Sequence, residues 1–165
     1  MEKEITKKSC CSNKIGFNNN VKKNNTCPLC GHIGEIVKNI TIRHMIIDDF
    51  MKKIGEEDYY LCKNENCDVV YYNLKSGIKF SKKQVKVPIW FKKDANPKYA
   101  CYCSKVTEEE VINAVVKDGA TNMSQVLKIT GAMSESQCEK KNPLGKCCHK
   151  IVQEAIDKGL AILNK

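Results

Sequence analysis

No stretch of this sequence is apolar for long enough to cross a bilayer, and residues 1–9 carry no apolar core of the length a secretion signal needs. The expected location is therefore the cytoplasm, a reducing compartment where disulfides are rare. Arginine is nearly missing as well: of 28 basic residues only Arg43 is an arginine. Forked contacts to phosphates and base edges are arginine's speciality, so a formal charge of +9 carried by scattered lysines argues only weakly for nucleic acid. Neither a Ser/His/Asp arrangement nor a glycine loop able to cradle phosphate is present. Hydrolysis and group transfer thus have no candidate apparatus. No internal repeat stands out.

Cysteine, by contrast, is abundant, with 11 in 165 residues. An odd count argues against a closed set of bridges, and in a reducing compartment regular cysteine spacings point to metal or redox chemistry. The chain reads as α+β in four parts. Residues 1–26 are rich in Lys, Asn and Ser and too poor in apolar side chains to offset their ordering entropy, which predicts a disordered tail. Residues 27–93 form a β-rich module, with strands at 33–37, 59–61, 69–72 and 85–91, Pro88 placing the last at an edge or bend. A short helix is predicted over 48–54, ended by Gly55. Residues 94–100 read as a linker, and 101–165 as a helical module. There, Thr107 and Glu110 make a capping box, Gly119 stops the first helix, and residues 122–130 form a second closed by Gly131. A third spans 148–158, with Gly159 after it.

Two cysteine constellations follow this division. Cys27-Pro-Leu-Cys30-Gly31 is a knuckle, a tight turn that lets two sulfurs converge on one ion. Cys62 and Cys67 sit at the tip of the predicted hairpin between Leu61 and Val69. Four thiolates in this zinc-ribbon spacing suit a closed, structural zinc site. His32 and His44 could each replace one ligand, but with the cysteine quartet complete they read as surface or hydrogen-bonded residues. The second constellation is Cys101-Tyr102-Cys103, Cys138 and the pair Cys147-Cys148 at the start of the third helix, whose positive end favours thiolates and a negative cluster. Its spacing matches neither common ferredoxin pattern, and chemistry alone leaves a second zinc, thiolate-bound copper(I) or an iron–sulfur cluster open.

Residues 101–158 resemble the domain of bacterioferritin-associated ferredoxin, which holds a 2Fe–2S cluster on a helix–turn–helix. The residues that carry the likeness are Cys101-x-Cys103, Val106-Thr107, Cys138 and Gly145-Lys146-Cys147. In that family the last two ligands are close in sequence, whereas here residues 139–146 intervene. Residues 27–158 as a whole resemble the N-terminal zinc and iron–sulfur domain of the archaeal-type copper chaperone family CopZ. The likeness runs through Cys27-Pro-Leu-Cys30-Gly31, Tyr60-Leu-Cys62, the run from Cys67 to Asn73, Cys101-Tyr-Cys103 and the run from Asn142 to Cys148. The resemblance implies cluster ligation by Cys101, Cys103, Cys138 and one of Cys147 and Cys148. The match to Gly-Lys-Cys selects Cys147, with Cys148 the alternative. It also implies a copper-carrying domain beyond this one, which residues 1–165 do not contain, so copper delivery does not carry over with it.

Eight metal-bound thiolates, offset by the charges of one zinc and one oxidised 2Fe–2S core, would bring the formal +9 to about +5. Much of the basic excess thus balances the metal sites. Cys10-Cys11 could capture copper(I) but reads as a solvated pair, and the lysine pairs 52–53, 82–83 and 92–93 read as solvated faces. The expected function is a zinc- and 2Fe–2S-containing accessory protein. It would exchange one electron with a redox or metal-trafficking protein, or with a metal ion such as copper(II). The competing readings are a non-redox zinc module contacting nucleic acid or protein, and an iron–sulfur storage or assembly partner.

Overall fold

The computed structural model describes residues 25–165; the tail and Cys10-Cys11 lie outside the described residues, apart from the last two positions of the tail. The first half is an antiparallel four-stranded sheet in sequence order, β1 (Gly34–Val37), β2 (Tyr59–Cys62), β3 (Val69–Tyr72) and β4 (Lys79–Ser81). Gly34 pairs with Cys62 and Tyr60 with Tyr72, so β2 runs up to the hairpin tip that carries the cysteines. A short helix, α1 (Asn39–Met45), follows β1 and buries Thr41, Ile42 and Met45. Every residue of β3 is buried, because both faces of this strand are covered. One face joins a core of Val37, Ile42, Leu61, Val70 and Tyr71, the other a smaller cluster of Cys27, Cys62, Cys67, Val69 and Tyr72.

The second half begins with a small antiparallel arm, β5 (Tyr99–Cys101) and β6 (Val106–Thr107). Its helices are α2 (Glu108–Val116), α3 (Met123–Thr130), α4 (Cys138–Lys141) and α5 (His149–Leu163). The capping box between Thr107 and Glu110 forms in full at the start of α2. Asn122 caps α3, and Gly131 ends it in the left-handed conformation at φ 73°. Val111, Val115, Val126, Val152 and Ile156 fill the core between these helices. The chain is therefore mixed α and β: a sheet module followed by a helical one.

Three local expectations are corrected. Residues 85–91 are not a strand: Val85 makes one isolated bridge to Ile46, and beyond it the backbone bonds to a side chain. The Tyr102 hydroxyl donates to the Pro88 carbonyl at 2.6 Å and accepts from the Trp90 N–H at 3.0 Å. Gly159 does not end the third helix but lies inside α5, where an added Cβ would come within 2.8 Å of the Val115 side chain. The helix continues because a glycine there lets α5 approach α2 closely. The short helix predicted over 48–54 forms, as a 3-10 helix over Asp48–Lys53. Finally, Lys92 does not belong to a solvated face; it is 1% exposed.

The residues that interrupt the ferredoxin-like spacing, 139–146, form a second contact between the two halves, beside that of Tyr102 with Pro88 and Trp90. Thr41 Oγ1 donates to the Glu139 carbonyl at 2.7 Å, and the Tyr71 hydroxyl donates to the Pro143 carbonyl at 2.5 Å. Leu144 packs against the core of the sheet module. Glu35 meets Lys146 at 2.5 Å and Lys63 at 3.3 Å, and Lys38 meets Glu139 at 3.2 Å.

Candidate metal centres

The first site is built from two turns brought together by the pairing of β1 with β2. In the knuckle, the Gly31 N–H donates to the Cys27 carbonyl at 2.9 Å and the Cys27 N–H to the His32 carbonyl at 2.8 Å. Gly31 takes φ 72°, a conformation that glycine adopts at low cost. Opposite it, the hairpin between β2 and β3 presents Cys62 and Cys67. The four sulfurs all lie within 4.8 Å of one another. Cys27 Sγ is 3.9 Å from Cys67 Sγ, and Cys30 Sγ is 3.5 Å from Cys62 Sγ. A tetrahedron of sulfurs at zinc–thiolate bond length has edges of roughly 3.8 Å. Donor set and spacing both fit zinc.

The electrostatics agree. Burial pushes Cys62 and Cys67 up. At Cys30 burial also opposes ionisation, but hydrogen bonds from the His32 backbone, Cys62, Asn64 and Cys27 bring it down to about 6. Four mutually close sulfurs cannot all ionise unaided, and a divalent cation supplies the charge that lets them. His32 is exposed, with Nδ1 3.4 Å from the Cys30 carbonyl and 3.3 Å from Asn64 Nδ2. His44 Nδ1 lies 2.8 Å from the Ile40 carbonyl in its own helix. Neither ring joins the quartet.

The second site gathers Cys101 from the end of β5, Cys103 from the turn after it, Cys138 from the first position of α4 and Cys148 from the residue preceding α5. All four are buried. Cys103 Sγ lies 3.6 Å from Cys138 Sγ, and Cys148 hydrogen-bonds to both Cys101 and Cys138. Cys101 falls to about 5, first through its hydrogen bond with Cys148, against the effect of burial, and then through the Ser104 and Met133 N–H groups and the Ser104 hydroxyl. The Met133 N–H to Cys101 Sγ distance is 3.3 Å. Burial together with Cys138 pushes Cys103 up to about 12, while hydrogen bonding to Cys101 and Cys138, then burial, holds Cys148 far above the usual thiol range.

Among the described residues, the four-sulfur group compact enough for one ion is the first site alone. The second is more spread, a donor set of four buried sulfurs that suits an iron–sulfur cluster. Cys147 is half-buried and lines a cavity of about 440 Å³ with Glu35, Lys63, Trp90 and Lys150. Adjacent cysteines cannot be ranked from sequence. Only the direction in which the chain enters α5 sets which sulfur faces Cys101.

Comparison with known proteins agrees with this division. A family model described as the CopZ-type zinc binding domain matches residues 24–86, and the BFD-like 2Fe–2S binding domain matches residues 99–158. The copper chaperone CopZ of Archaeoglobus fulgidus is 35% identical over 123 residues, 74% of this chain and 57% of that protein. The chain thus spans little more than half the length of that relative. The X-ray structure of the Archaeoglobus fulgidus CopZ N-terminal domain superposes with a TM-score of 0.67 at 33% identity, over 78% of this chain and 95% of that one. Zinc and a 2Fe–2S cluster are accordingly the cofactors of the two halves, and among the described residues no helix is long and apolar enough to cross a membrane. The chain belongs to the CopZ N-terminal-domain family, in which a zinc-binding module is joined to a BFD-like 2Fe–2S module.

Proposed function

We propose that this protein is a one-electron carrier in metal handling, acting in the reducing cytoplasm without hydrolytic or group-transfer chemistry. The observation that carries this reading is the second set of buried cysteines, separate from the zinc quartet and gathered at the start of a 15-residue helix. The zinc ligands in this reading are Cys27, Cys30, Cys62 and Cys67, which hold the module of residues 27–93 together. The cluster ligands are Cys101, Cys103, Cys138 and Cys148 in the module of residues 101–165, with 94–100 between the two. In this reading Cys148 is taken in place of the sequence-based choice of Cys147, supported by its hydrogen bonding with Cys101 and Cys138.

A 2Fe–2S cluster supplies a one-electron couple when bound. The chain's own part is to hold the sulfurs out of water and tune them. The Met133 and Ser104 N–H groups bond to Cys101, and the positive end of α5 favours the thiolate of Cys148. The relative is named a copper chaperone, which supports copper as the metal handled, with copper(II) as acceptor and a trafficking protein as partner. The test is purification of the full chain without oxygen. The expected product is brown, contains iron and sulfide with one zinc, and gives an electron paramagnetic resonance signal on one-electron reduction. A colourless protein with two zinc ions and neither iron nor sulfide would overturn the reading.

A further inference from the structure

Lys92 reaches the zinc-site hairpin from the segment that follows Pro88. Its Nζ donates to the carbonyl oxygens of Asn64 at 2.7 Å, Cys67 at 3.0 Å and Val69 at 3.1 Å. Three acceptors require three N–H donors, which an ammonium has and a neutral amine lacks. Lys92 is therefore a cation buried almost completely. Carbonyl dipoles satisfy its donors but carry no net charge, and a buried ion without a counter-charge is strongly disfavoured.

No carboxylate lies within salt-bridge distance of this ammonium among the described residues; Asp94, which feels its charge, is paired with Lys82 at 2.8 Å. The bond of Lys92 to the Cys67 carbonyl places the ammonium on the hairpin tip that carries Cys62 and Cys67. Burial pulls Lys92 below the usual lysine range, and the charges of Cys62, Cys67, Cys30 and Cys27 oppose that shift. Four thiolates around a divalent ion keep two negative charges, which are equally costly to bury unbalanced. Each charge thus lowers the other's desolvation cost.

We propose that Lys92 is the fixed counter-cation of the tetrathiolate zinc site, stabilising the metal through space while its three hydrogen bonds anchor the hairpin tip. The proposal rests on assigning zinc to Cys27, Cys30, Cys62 and Cys67. Lys92 is a positioning and charge-balancing residue, not a ligand.

The test compares full-length wild type, K92M and K92R in zinc competition against a chromophoric chelator, with cobalt(II) substitution as the spectroscopic readout. K92M keeps the length of the side chain but not the charge and should bind zinc roughly 10–100-fold more weakly. Its cobalt–thiolate charge-transfer band should move to longer wavelength, since sulfur electrons lose a nearby positive charge. K92R should retain most of the affinity. Unchanged affinity and bands in K92M, or a loss in K92R as large as in K92M, would overturn the proposal. If K92M does not accumulate folded, K92R alone decides, zinc retention supporting the charge role and zinc loss refuting it. The C62S variant checks the underlying ligand assignment separately: wild-type zinc affinity there would refute the ligand set, whatever Lys92 does.

Discussion

The Tyr71 hydroxyl donates a hydrogen bond of 2.5 Å to the Pro143 carbonyl, joining the centre of the sheet to the segment between Cys138 and Cys148. Both residues are buried, so removing the hydroxyl strands a carbonyl away from water. Y71F should therefore destabilise the chain by about 1–3 kcal/mol, read as a lower midpoint in denaturant unfolding. A variant as stable as the wild type would mean that this hydrogen bond contributes nothing.

Cys147 and Cys148 make opposite predictions about the cluster. C148S should lose the visible absorbance of the cluster and most of its iron and sulfide, because Cys148 is the sulfur that meets Cys101 and Cys138. C147S should keep both. Visible spectra and metal analysis of the two purified variants decide the matter, and the reverse pattern would return the ligand role to Cys147.

Gly159 is required by packing rather than by a turn. An alanine Cβ there would sit 2.8 Å from Val115 Cβ and 3.1 Å from its Cγ1. Alanine improves helix propensity by about 1 kcal/mol, but overpacking a core typically costs about 1–3 kcal/mol. G159A should therefore be neutral to destabilised by about 2 kcal/mol, where an exposed helix position would gain stability. Chemical denaturation of the pair of proteins reads the sign.

Glu35 carries a predictable pH dependence. Burial pushes its carboxyl up, but the hydrogen bond from Lys146 and the charge of Lys63 outweigh it, and the group ends below its ordinary value of 4.5. A depressed folded-state value means that the stabilisation is present above about pH 4.5 and is lost as pH falls through the folded value. The pair is partly solvent-exposed, so the whole effect is under about 1 kcal/mol. Comparing E35Q with wild type, the stability gap should be open at pH 6 and narrow below about pH 4.5. A gap that widens in acid would contradict the assignment.

Much of the candidate chemistry was legible because it is local. The C-P-L-C-G knuckle needs only a five-residue turn ending in a positive-φ glycine, and Gly31 adopts it. The capping box at Thr107 and Glu110, and the glycine stop at Gly131, depend on neighbours within one helical turn. Three of the four strands in the sheet were visible as β-branched and aromatic runs, whereas β4, only Lys79–Ser81, is too short to carry a pattern. The misread segments are those whose backbone or side chains are used by distant residues. Residues 85–91 carry strand-like side chains, but Tyr102 takes the Pro88 carbonyl and the Trp90 N–H. Lys92 looks like any surface lysine until three carbonyls of another hairpin surround it.

From the sequence by itself came the metal-binding character, the two cysteine groups and their order along the chain, since ligand type and spacing are set by covalent connection and short turns. Tertiary structure decided why a glycine stands inside α5 and that residues 139–146 help to join the two halves. It also turned one lysine of a charged pair into a buried side chain bonded to three carbonyls of the hairpin that carries Cys62 and Cys67. These depend on the approach of segments far apart in the chain, where packing and the cost of unbalanced buried charge outweigh local preference.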